Sequence, residues 1–190
     1  MDHAILAVEL CFPMIPGDAL QAQLKALVVQ QPQTMRPGQK WQFYRSAAHL
    51  LTERLPQAVS GCWDFFDDNE RALNDHEMGV NGMNTREGSR REPSGVGDPY
   101  RGEQRFLTFT LSLLLDAHSP SGYQLAQHCK VPEARLWTRD TFRHILSALS
   151  YVSYASVRSD VVYLIPRDDG WGLTAEDLRE AKFHYLRTIG

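Results

Sequence analysis

The sequence is short of cysteine. It has three, Cys11, Cys62 and Cys129, far apart and without a Cys-x-x-Cys pair. An odd, scattered set argues against a disulfide framework and fits small buried thiols in a reducing compartment. Long apolar runs are missing too. The longest, Leu111–Leu115 with its flanks, has the length of a strand, well below the ~20 residues of a membrane-spanning helix. Met1-Asp2-His3 offers no basic leader, so no secretory signal is expected. A cytoplasmic protein with no membrane span is the resulting expectation. Net charge is small, -3 over 190 residues, so no electrostatic pull toward nucleic acid is expected. The glycines never fall into G-x-G-x-x-G or G-x-x-x-x-G-K-[ST], which removes the usual phosphate cradles. No cofactor is expected.

What is present suits one globular domain. A hydrophobic fraction of 43% with 23% charged residues is ordinary for a chain that buries its own core. Ala4–Phe12 is apolar, ends at Pro13 and reads as a buried strand. Asp18 can cap a helix carrying Leu20, Leu24, Leu27 and Val28 on one face. A second helix is expected over Trp41–Arg54, stopped by Pro56. Ser60–Phe66 is aromatic and has no clear assignment. A weak helix is expected over Asn69–Met78. Residues 79–105 read as a long loop rich in glycine and arginine.

Phe106–Asp116 has the composition of a central strand. Thr138 is placed to cap a helix over Arg139–Leu149. Tyr151–Val157 alternates like a strand, and Val161–Ile165 is a further apolar strand ended by Pro166. Thr174 and Asp177 have the spacing of a capping box, with Leu173 and Leu178 placed as a hydrophobic staple. They predict a final helix with Leu178, Ala181, Tyr185 and Ile189 inward.

The last third, 106–190, resembles a cyanobacterial and plastid family known as domain of unknown function 1517. The residues that carry the likeness are the Phe106–Ala117 strand, the Asp140–Leu149 helix, Val161–Pro166, Asp168-Asp169, Leu173-Thr174, Glu176 and Leu178. Ile165 stands where the family has threonine, and the family's amino-terminal membrane segment has no counterpart here. The resemblance implies a fold and a phototroph setting near photosynthetic complexes. It transfers no catalytic residue.

The expected architecture is a single α+β domain over 1–190, with α/β as the alternative. It would hold a small mixed sheet of three to five strands with helices mainly on one face. The strands either side of the Arg139–Leu149 helix would be parallel if a single crossover joined them. Function is expected to be that of a non-enzymatic accessory or scaffold protein. It would dock another protein through Arg86, Arg90, Arg91, Tyr100 and Arg101, because arginine and tyrosine favour interface hot spots.

Two alternatives stand beside it. A metal-dependent hydrolase would draw on Asp64, Asp67, Asp68 and His76 within the acidic 64–77 stretch. The spacing of those acids fails the EF-hand pattern, however, and a solvated helix start explains them as well. A small-ligand binding domain would place its pocket at strand ends, between Asp116-Ala117-His118 and Pro166-Arg167-Asp168.

Overall fold

A computed structural model describes residues 2–31, 36–85, 102–166 and 172–190, with side chains at all of these except 81–85. The first strand, β1 (His3–Met14), is the middle of a five-stranded sheet. Its neighbours are β2 (Ser60–Phe66) on one side and β3 (Arg105–Asp116) on the other. Outside β3 lies β4 (Val157–Ile165), and outside β2 lies the two-residue β5 (Arg187–Thr188). Every ladder is antiparallel. The architecture is therefore α+β.

Side chains alternate across the faces of a strand, and β1 is buried on both. Ala4, Leu6, Val8, Leu10 and Phe12 join the large core of the first face. Four helices pack onto that face and add to its core: α1 (Leu20–Gln30), α2 (Pro37–Arg54), α4 (Pro120–His128) and α5 (Arg139–Ala148). On α5 the buried stripe is Phe142, Ile145 and Leu146, all fully buried. Each contributes about 1.5–3 kcal/mol of burial. Thr138 caps α5, its hydroxyl accepting from the Thr141 amide at 3.3 Å.

The remaining helix, α3 (Asn69–Thr85), crosses the second face. Asn69 pins its start to β1, because its Oδ1 accepts from the His3 amide at 2.9 Å. The carboxyl-terminal segment covers another part of this face, where Leu173 and Phe183 pack with Val161, Tyr163 and Ile165.

A polar tie joins α2 to β4. Lys40 pairs with Asp160, and the Tyr44 hydroxyl donates to Asp160 Oδ2 at 2.8 Å. Tyr44 itself is fully buried and stacks on Tyr154, ring centres 5.2 Å apart.

Several expectations need correction. The sheet is antiparallel rather than mixed, since two helices rather than one separate β3 from β4 and return the chain to the starting end. Of Tyr151–Val157 only Val157 is in a strand, as the first residue of β4. The alternation of the segment comes from Val152 and Tyr154, both buried in the large core. The Tyr154 hydroxyl donates to the Leu149 carbonyl at 3.0 Å. Arg158-Ser159-Asp160, between the two expected strands, belong to β4.

Ser60–Phe66 is a full strand, and Gly61 shows why. A Cβ there would come within 2.8 Å of the Glu9 carbonyl oxygen, so only glycine lets β2 approach β1 this closely. The expected helix after Leu173 is reduced to two single-turn segments, Asp177–Arg179 and Ala181–Phe183. The capping box does form, with the Asp177 amide donating to Thr174 Oγ1 at 3.0 Å. Propagation stops because the chain must extend to pair with β2, and Ile189 donates to the Val59 carbonyl beyond it. The loop expected at 79–105 is shorter among the described residues: 79–85 continue α3 and Arg105 opens β3.

Candidate functional site

The antiparallel register fixes what lines the second face. Cys62, Glu9, Thr110 and Tyr163 are successive partners across β2, β1, β3 and β4. The next row is Asp64, Ala7, Ser112 and Val161. These two rows are small and polar at their centre, where the other face carries Leu10, Val8 and Leu111. A third row, Phe66, Ile5 and Leu114, is apolar and closes against Ala72 of α3. Between that closed end and Tyr185 of the carboxyl-terminal segment lies a cavity of about 210 Å³, roofed by Asp75, His76, Met78 and Gly79 of α3.

The polar groups in this cavity are incompletely satisfied. Thr110 and Ser112 are 6% and 7% exposed, and neither hydroxyl has a hydrogen-bond partner. His76 Nδ1 is likewise buried without one, while Nε2 meets the Ser159 hydroxyl at 2.9 Å. A buried polar atom without a partner costs about 1–3 kcal/mol, and such groups are uncommon in folded proteins. Three of them around one cavity make an arrangement that a bound molecule would complete.

Carboxylates mark the same cavity. Glu9, 5% exposed, accepts from the Tyr185 hydroxyl at 2.8 Å. Asp64 is exposed and Asp75 half-buried, which puts both at the solvent side. Partial desolvation raises the Asp64 pKa, the Cys62 thiol pulls it back, and the charge of Asp75 raises it again. Burial holds the His76 pKa below its ordinary value, against the opposing pull of Asp160. The ring is thus neutral near pH 7. If Nε2 carries the proton toward Ser159, Nδ1 presents a lone pair to the cavity.

Cys62 is not an activated nucleophile. Burial raises its pKa strongly, and Asp64, which accepts its thiol proton at 3.3 Å, raises it further. Thiolate is the reactive form, and this surrounding disfavours it. Burial likewise pushes Cys11 and Cys129 up to about 12.

The acidic 64–77 stretch is split by its own geometry. Asp64, Asp75 and His76 line the cavity, whereas Asp67, Asp68, Glu70 and Glu77 are exposed. Asp68 has a local task, its Oδ1 accepting from the Arg71 amide at 2.8 Å. Among the described residues, no three His, Cys, Asp or Glu side chains converge as a metal site requires. Asp64, Asp67, Asp68 and His76 therefore do not form the ligand set that the hydrolase alternative needs.

The strand-end pocket is overturned as well. Thr108 pairs with Ile165 and Leu115 with Val157, so Asp116 and Pro166 lie at opposite ends of the sheet. Asp116 instead donates its amide to the Ser156 carbonyl at 3.0 Å. Arg167 and Asp168 lie outside the described residues, as do the docking candidates Arg86, Arg90, Arg91, Tyr100 and Arg101.

Sequence reasoning passed over Glu9, Ala7, Thr110, Ser112 and Tyr185. Two signals were present. Glu9 is a lone charge inside the apolar run Ala4–Phe12. Thr108, Thr110 and Ser112 repeat at every second position of Phe106–Asp116, putting hydroxyls on one face of a strand whose other face is leucine and phenylalanine.

Among the described residues no helix is long and apolar enough to cross a membrane. A scan against protein-family models matches none, and searches of curated proteins and of solved structures return no match.

Proposed function

We propose that this chain is a small-ligand binding domain, with the ligand held between the second face of the sheet and α3. The observation that carries this reading is the group of unpartnered buried atoms, Thr110 Oγ1, Ser112 Oγ and His76 Nδ1, around a cavity of about 210 Å³. A pocket of that size is below the ~300–1,000 Å³ of drug-sized sites. It suits a molecule of about six to ten non-hydrogen atoms, scaling from the ~150 Å³ cavity that accepts benzene. Burial and Asp64 keep the Cys62 thiol in the cavity protonated, which argues against thiol chemistry there.

The test is a fragment screen read by thermal shift and ligand-observed NMR, run in parallel on Ala7→Leu. Ala7 sits between Asp64 and Ser112 in the register, so leucine there fills the space. Fragments that stabilise the natural sequence by several degrees and lose the effect in Ala7→Leu support the proposal. Hits that bind both proteins equally place the ligand elsewhere and sink it.

A further inference from the structure

Charge around the cavity narrows the kind of molecule it accepts. Among the described residues its lining includes Glu9, Asp64 and Asp75 and no lysine or arginine; Arg71, outside the lining, offsets part of this charge by lowering the Asp64 pKa. Asp64 and Asp75 are on different elements, β2 and α3, yet close enough for the charge of Asp75 to raise the Asp64 pKa. Carboxylates facing each other across a gap repel, and a positive group between them relieves that repulsion. The walls add the rings of Tyr163 and Tyr185, and the faces of such rings attract cations; the Phe66 ring already carries the Arg71 guanidinium, 3.3 Å from its centre. The Thr110 and Ser112 hydroxyls are unpartnered and can accept as well as donate, so the interior can receive the N–H groups of an ammonium. An anion would meet the repulsion of Asp64 and Asp75 at the solvent side.

We infer that the cavity selects a small organic cation, an ammonium on a compact apolar or aromatic body, with Asp64 and Asp75 as the selecting charges and the Thr110 and Ser112 hydroxyls as inner acceptors. This rests on the ligand-binding reading above. It adds the sign of the ligand's charge. Membership of Asp64 and Asp75 in an acidic cluster would not suffice alone. The buried, unpartnered hydroxyls, 94% and 93% of their residues' surface removed from solvent (from 6% and 7% exposure), are the independent sign that something polar belongs there.

Three probes of nearly one shape separate the possibilities: benzylammonium, benzyl alcohol and benzoate, each titrated calorimetrically into the full chain at low salt. Benzylammonium is expected to bind at least tenfold more tightly than benzyl alcohol, and benzoate not measurably. The double change Asp64→Asn with Asp75→Asn is expected to cut that preference below threefold. Asparagine keeps an acceptor near the Cys62 thiol, and both positions reach solvent, so folding should survive. If the double variant fails to fold, the three-probe comparison on the natural sequence still decides. Equal binding of the ammonium and the alcohol, or tighter binding of benzoate, overturns the cation assignment and leaves the cavity reading standing. No binding by any of the three, together with no hit in the fragment screen, overturns both.

Discussion

Replacing Thr110 by valine should make the ligand-free protein more stable. Threonine and valine have nearly the same shape, so the change removes a hydroxyl and leaves the packing of β3 in place. Thr110 is 6% exposed and its Oγ1 has no partner. The folded protein therefore carries the desolvation cost of that group, about 1–3 kcal/mol, with nothing returned. Valine abolishes the cost and suits a central strand at least as well. A gain near 2 kcal/mol corresponds to a rise in Tm of about 4–8 °C for a chain of this length. Urea unfolding followed by circular dichroism measures it directly, with an unchanged m-value as the sign that both end states are the same.

Thr108 is the control. It is fully buried, equally unpartnered and one row away from the cavity lining. Thr108→Val should give a similar gain without touching ligand binding, whereas Thr110→Val should trade binding for stability. A loss of ~0.5 kcal/mol or more in Thr110→Val would mean that the hydroxyl is satisfied in the folded protein. The case for a cavity preset to receive a polar molecule would then fall.

Lys40→Met should cost about 3–5 kcal/mol, because it leaves Asp160 uncompensated with only 9% of its side chain exposed, and stranding one partner of a buried pair is expensive. The double change Lys40→Met with Asp160→Asn should recover part of the loss; no recovery would show that the pair is not what is being broken. His76 should make the protein sensitive to mild acid. Its folded pKa is below the ordinary 6.5, so the stability of the neutral ring is fully present above pH 6.5 and is lost as pH falls from there toward the folded value. His76→Gln should flatten the fall in unfolding free energy below pH 6.5, and parallel curves for the two proteins would refute the assignment.

Local signals in the sequence were reliable where a few neighbouring residues settle the structure. Thr138 caps α5 as its position suggests, and the apolar composition of Ala4–Phe12 and Phe106–Asp116 gives the two long strands. Where distant partners decide, the same signals mislead. The Thr174–Asp177 box forms in full, yet the pull of β2 on the last residues prevents a helix from growing out of it. Tyr151–Val157 alternates because two of its side chains are buried in the large core.

The cavity was hidden for the same reason. Glu9, Cys62, Thr110 and Tyr163 come from four strands, and only the register of three ladders sets them in a row. Nothing nearby in sequence marks Tyr185 as the partner of Glu9, 176 positions away.

The central place of β1 also has a kinetic consequence. A ribosome makes this strand before its main partner, and its longest ladder must wait for β3: Leu10 pairs with Phe109, about a hundred residues later. At synthesis rates of ~5–20 residues per second, an apolar segment buried on both faces in the finished protein spends several seconds without its main partner. During that interval β2 can offer only seven pairings. Loop-closure entropy must be met before the β1–β3 ladder returns anything. Folding in the cell should therefore be commitment-limited at the emergence of β3, with the nascent chain a client for holding chaperones until then.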